Sequence, residues 1–414
     1  MATSSIRLGE FWRVSIGAVA ALLLALIVPA GQAAEIVLKS SSTAHYDLFS
    51  NVDPKKAGEI ARHMDAVYSE YAHRFRAFAA SERDKARMPL YLFRTQQQYL
   101  AFMQQKGVDA TGTGGIFFIR PDARGLATWV EERPQWVTLE TLQHEGFHQF
   151  AYAHIGVNIP TWVNEGLAEY FGDAILVDGK LRIGMASSRR IETLKEAVRN
   201  RRIIDFDLLM AMQPGQWHLN LVRNPERGRL QYDQSWAMVY FLIHGQEGRY
   251  RDPFEKYLVA IGKGMDQVKA FRHAFGAEDA AAFRKQWDPF VMQLQPDAVD
   301  VAVGRMRFLA EGVLLLKQRG EPVPDKAEAL RVRLTQLGFR AVRIENGVRT
   351  EISATDPALW VFSRSNGSTG SFELLEPSAS ALPPRITAEG LKPQPTLKWE
   401  HDADGKVVPA LDYR

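Results

Sequence analysis

The chain of 414 residues contains no cysteine. Disulfide staples, thiolate nucleophiles and cysteine-ligated metals are therefore excluded, and any metal must sit on imidazole and carboxylate. Neither charge is in excess: 51 Lys and Arg face 48 Asp and Glu, and setting aside Arg7, Glu10 and Arg13 leaves 49 against 47. Such a balance lacks the basic footprint that nucleic acid requires, so no nucleic-acid partner is expected. No internal repeat occurs, and no apolar run after the first 33 residues approaches the roughly 20 needed to span a bilayer. Hydrophobic side chains make up 46% of the chain, which rules out a disordered polymer and predicts a packed core.

The N-terminus carries the clearest processing signal. Arg7 and Arg13 precede an apolar run from Val14 to Val28, and Ala30-Gly31-Gln32-Ala33-Ala34 offers small residues for cleavage. This predicts a secretory signal peptide over residues 1–33 and an extracytoplasmic (periplasmic or secreted) mature protein with no stable membrane span. The alternative is an uncleaved anchor, for which the run is short.

Alternating element signals predict an α+β fold. A strand is expected at 35–39, a helix from Asp53-Pro54, a strand at 90–93, a helix at 95–106, two antiparallel strands at 116–119 and 126–130, and a helix from 137 to 154. Asp178-Gly179 marks a hairpin within 174–183. Residues 187–294 read as mostly helical. The expected organisation is a large domain over 34–295, a small α+β unit over 296–375, and a proline-rich tail over 376–414 that is extended or disordered.

The chemistry concentrates in His144-Glu145-Gly146-Phe147-His148, inside a helical stretch without proline. Positions i and i+4 lie about 40° apart around a helix, so both imidazoles share one face and can share one ion. Glu145 stands beside that ion without ligating it, placed to take a proton from an activated water. At this chain's composition, chance would produce the pattern in roughly one such chain in seventy. Downstream, Gly156 to Pro160 breaks the helix and Thr161 opens a second one, with Glu165 17 positions after His148. A short loop can fold this helix back and bring Glu165 to a third ligand position. Glu169, one turn further, then faces the outer nitrogen of a ligand imidazole.

His144 to His148 followed by Asn164-Glu165-Gly166-Leu167-Ala168-Glu169-Tyr170 resembles the gluzincin zinc metallopeptidases, the thermolysin and aminopeptidase clan, and especially its extracytoplasmic peptidase MA-like branch. The strong similarity covers 139–173, with a weaker likeness of element order over 52–258. The resemblance implies a zincin-like catalytic domain, with an N-terminal mixed sheet and active-site helix followed by a mainly helical subdomain. It also implies one Zn²⁺ per chain on His144, His148 and Glu165, Glu145 as general base, and Glu169 behind a ligand, with Glu where Asp is common. Tyr232, 67 positions after Glu165 and read as lying at the mouth of a helix, resembles the tyrosine that steadies the oxyanion in aminopeptidase-like members; His218 is the substitute. The resemblance also implies a sheet edge for an extended peptide, with the 126–130 strand as candidate and a covered edge with Trp129 in the core as the alternative.

The remaining residues take plainer readings. His154 and His244 are expected as surface or hydrogen-bonded core histidines, and Trp236, Tyr240 and Phe241 as helix packing. Arg189, Arg190, Lys195, Arg199, Arg201 and Arg202 read as a solvated helix face. The expected function is a zinc-dependent hydrolase acting on peptide or protein substrates. Two alternatives remain: a catalytically silent binding or scaffold protein on the same fold, and a zinc amidase acting on cell-wall peptides. No Gly-Ala-Met-Glu-Asn exopeptidase signature precedes His144.

Overall fold

The computed structural model describes residues 36–78, 86–276, 280–345 and 348–414. The signal-peptide segment 1–33 and the Asn346-Gly347 turn lie outside the described residues. The chain is α+β, with a mixed N-terminal sheet followed by a helical region. Among the described residues no helix is long and apolar enough to cross a membrane.

The first layer is built from β1 (Lys39–Ser42), β2 (Tyr46–Ser50), α1 (Pro54–Arg74), β3 (Met88–Phe93), α2 (Gln96–Gln105), β4 (Gly115–Ile119) and β5 (Arg124–Trp129). Asp53 caps α1 by accepting from the amides of Lys55 and Lys56 at 3.1 Å. Thr95 and Gln98 form a reciprocal capping box on α2, so both helix starts are satisfied locally. The expected strand at 35–39 is displaced to β1, and β2 is an additional strand. Sheet order is β1-β2-β3-β5-β4, with β2, β3 and β5 parallel and the two outer strands antiparallel to their neighbours. The 126–130 strand is thus interior rather than an edge, and Trp129 is buried. On this side the edge is β4, because the β4–β5 hairpin folds β4 to the outside, and β1 forms the opposite edge.

Two helices, α3 (Gln135–His154) and α4 (Thr161–Gly172), follow. Gly146 lets α3 lie close to α1 and the sheet, since a Cβ there would stand 2.7 Å from Met64 Cε and 3.9 Å from Leu126 Cδ2. Gln143 locks α3 to the end of α4: its Nε2 donates to the carbonyls of Phe171, Gly172 and Ala174 at 3.0–3.1 Å. The Phe171 carbonyl also accepts from the Ala174 amide, so Gln143 adds a side-chain partner at a buried helix terminus. Phe147 stacks on Phe171 with centroids 5.4 Å apart.

The hairpin β6 (Ile175–Val177) and β7 (Lys180–Arg182) turns at Asp178-Gly179, both with positive φ, as the dipeptide predicts. The helical region comprises α5 (Ser188–Arg199), α6 (Phe206–Ala211), α7 (Pro214–Arg223), α8 (Pro225–His244), α9 (Arg251–Gly262), α10 (Gln267–Phe275) and α11 (Ala280–Gln293). Trp236 and Phe241 are fully buried in its core, and His244 and His154 hydrogen-bond Tyr170 and Tyr68.

A second apolar core is organised by α12 (Ala298–Gln318), whose Met306, Leu309, Val313 and Leu316 are buried. Around it lie α13 (Ala327–Gln336), the hairpin β8 (Arg340–Glu345) and β9 (Val348–Ser353), the pair β10 (Val361–Ser363) and β11 (Thr369–Ser371), and a four-stranded antiparallel sheet. That sheet contains β12 (Glu373–Leu375), β13 (Arg385–Thr387), β14 (Pro395–His401) and β15 (Val407–Tyr413). Residues 376–414 are therefore not a disordered tail. Their prolines fall where strands tolerate them: Pro395 opens β14, Pro409 lies on the edge strand β15, and Pro377, Pro383, Pro384 and Pro393 lie outside the strands. Trp136 and Val137 of α3 belong to this second core, and Arg307 pairs with Glu140 one turn before His144. The C-terminal unit thereby braces the start of α3.

Candidate metal centre

His144 and His148 project from one face of α3 toward Glu165 on α4. Their Nε2 atoms are 3.2 Å apart, and Glu165 Oε2 lies 3.5 Å from the first and 3.6 Å from the second. Ligands held about 2.0–2.1 Å from a tetrahedral zinc stand roughly 3.3–3.4 Å from one another. The three atoms match the edges of such a tetrahedron, and they form a group able to hold a metal ion.

The electrostatics point the same way. Burial acts to lower the His148 pKa, but the adjacent Glu165 charge outweighs it and pushes the value up to about 9. For His144, burial is likewise overcome by Glu165 and Glu169, and its pKa rises. Burial would raise Glu165, yet the two imidazoles draw it down to about 2. The carboxylate charge that favours a proton on the imidazoles equally favours a cation placed among the three groups.

Glu145 is not one of the three. It faces the sheet, where its Oε2 accepts from the Phe117 amide of β4 at 2.9 Å. Phe117 therefore directs its N–H away from β5. Arg120 N–H donates to Ala123 at the hairpin end, so by alternation Gly115, Phe117 and Ile119 turn their backbone groups outward along the free edge.

Tyr232 lies in the third turn of α8, not at its start, and is buried with Trp217 packed edge-on at 5.2 Å. Burial, then the charges of Glu165, Glu169 and Glu145, hold its pKa well above the ordinary value. Its hydroxyl therefore keeps its proton and remains a donor near all three carboxylates. His218 is exposed on α7. The approach of α8 to α4 depends on Gly166, where a Cβ would stand 2.5 Å from the Ser235 carbonyl oxygen. Gly166→Ala is expected to destabilise the fold by about 1–3 kcal/mol through overpacking, measured by denaturant unfolding.

Glu169 lies behind His144, its Oε1 3.6 Å from His144 Nδ1. This is ion-pair reach rather than a closed hydrogen bond. Its Oε2 accepts from Arg190, which is buried and also pairs with Asp173 and Asp233. Arg190 therefore does not belong to a solvated face, and Arg189 beside it lies 3.6 Å from Asp233. The sequence reading missed this cluster because its carboxylates come from α4 and α8, far from Arg190 in sequence. The one available signal was Asp233 beside Tyr232 in a helix otherwise rich in apolar residues.

Residues 138–258 match a family model described as a protein of unknown function (DUF1570). That span contains His144, Glu145, His148, Glu165, Glu169, Arg190 and Tyr232. No curated protein matches the chain.

Proposed function

We propose that this protein is a zinc-dependent hydrolase that cleaves peptide bonds outside the cytoplasm. The observation that carries the reading is the mutual spacing of 3.2–3.6 Å among His144 Nε2, His148 Nε2 and Glu165 Oε2, with Glu145 adjoining and unligated. Zinc bound by these residues supplies a Lewis acid that acidifies a water and polarises a substrate carbonyl.

The chain's own residues do the rest. An extended peptide adds to the outward backbone groups of β4 other than the Phe117 N–H, which stays with Glu145. Glu145, steadied by the Phe117 amide, accepts the proton as water adds to the carbonyl carbon, and passes it to the leaving nitrogen as the C–N bond breaks. Tyr232 donates its O–H to the oxyanion that forms on the former carbonyl.

A fluorogenic peptide library, assayed with and without a chelator, tests the reading. Chelator-sensitive turnover that returns with zinc is the expected result. Zinc binding without turnover favours the scaffold alternative, and release of fragments from cell-wall peptides alone favours the amidase. Tyr232→Phe is expected to lower kcat by about 10²–10³ with KM little changed, since it removes a donor that acts in the transition state; steady-state kinetics on the best library peptide measures this.

A further inference from the structure

One buried cation takes no part in the chemistry assigned to Glu145 and Tyr232. Arg190 projects from the first turn of α5 and is 6% exposed. Its Nε lies 3.1 Å from Asp173 Oδ2, its Nη1 3.1 Å from Asp233 Oδ1, and its Nη2 donates to Glu169 Oε2. One guanidinium thus gathers carboxylates from α4 and α8, the two helices that carry Glu165 and Tyr232. A planar fork reaches three acceptors in fixed directions, which the point charge of a lysine does not.

Glu169 divides its carboxylate between two neighbours. Oε2 is held by Arg190, while Oε1 faces His144 Nδ1 at 3.6 Å. A carboxylate behind a ligand imidazole fixes which ring nitrogen carries the proton and raises the basicity of the other. Its own orientation must be fixed for this to work, and here the only arginine it is bonded to among the described residues is Arg190.

We propose that Arg190 is a positioning residue for the metal centre. By anchoring Oε2 it holds Oε1 within ion-pair reach of His144 Nδ1, so that the carboxylate charge favours the proton on Nδ1 and leaves the Nε2 lone pair for the cation. This inference rests on the zinc reading of His144, His148 and Glu165. A purely mechanical clamp joining α4, α5 and α8 would stabilise the fold without acting through Glu169.

A double-mutant cycle on zinc affinity separates the two. Zinc Kd is measured by competition with a chromogenic chelator on the full chain, and Co²⁺ d–d absorption reports the ligand geometry. Glu169→Gln is expected to weaken binding about 10–100-fold and Arg190→Lys about tenfold. The double variant is expected to bind no more weakly than Glu169→Gln alone, because the effect of Arg190 passes through Glu169. Full additivity of the two losses, or wild-type affinity in Arg190→Lys, overturns the proposal. If Arg190→Lys fails to fold, Asp233→Ala replaces it in the cycle: it keeps the arginine and removes its Nη1 anchor, with a smaller loss that must also vanish in the Glu169→Gln background. Wild-type protein that binds no zinc overturns the metal centre itself, a result distinct from a wild type that binds while the cycle is additive.

Discussion

Replacing Glu145 by glutamine is expected to lower kcat by about 10²–10⁴, the usual contribution of a positioned acid–base group, while zinc binding stays intact. Glutamine keeps the size and an oxygen that can accept from the Phe117 amide, so the β4–α3 contact at 2.9 Å survives the change. It cannot take a proton from water or return one to the leaving nitrogen. The three atoms that face one another, His144 Nε2, His148 Nε2 and Glu165 Oε2, are untouched. Parallel titration with zinc and peptide turnover therefore show one property lost and the other kept. Full turnover in Glu145→Gln would remove the proposed base.

Glu165→Ala is expected to have the opposite signature, losing both. It removes the only carboxylate among the three donors, leaving two neutral imidazoles whose pKa values had been held up by that charge. The loss of zinc affinity should exceed the roughly 100-fold ceiling for an outer hydrogen-bond partner. Thermal unfolding gives an independent reading. Zinc at 100 times Kd stabilises a folded protein that binds it by about 2.7 kcal/mol, so the wild-type Tm should rise with zinc while the variant's stays flat. A variant that still takes up one zinc per chain would show that Glu165 is not a ligand.

The parts of the molecule legible from sequence were those written in short-range pattern. Pro54 after Asp53, the helical pattern from Thr95, and Asp178-Gly179 each specify a local geometry, and the structure has all three. The i, i+4 histidines and the helix break before Thr161 likewise brought the metal group within reach. What escaped was decided by long-range pairing. Arg190 sits in a run of basic residues, and only the packing of α4 and α8 against α5 reveals its carboxylates. Whether the 126–130 strand is an edge stayed open between two readings because hairpin residues do not say which strand turns outward; β4 does, through Phe117, and Trp129 lies in the core. The long helix α12 shows little polar face because it is central to the second core, with Ala302, Phe308, Leu309 and Ala310 buried, which blurs the amphipathic stripe. In β14, Leu397 and Trp399 alternate inward, but the flanking prolines hid that period.

The most direct test of the central claim is anomalous scattering at the zinc edge from crystals of the purified chain. A single strong peak at bonding distance from His144 Nε2, His148 Nε2 and Glu165 Oε2 is the predicted result, with Glu145 outside bonding range. Crystals grown with zinc that show no peak among these three atoms, or a peak ligated elsewhere, would contradict it.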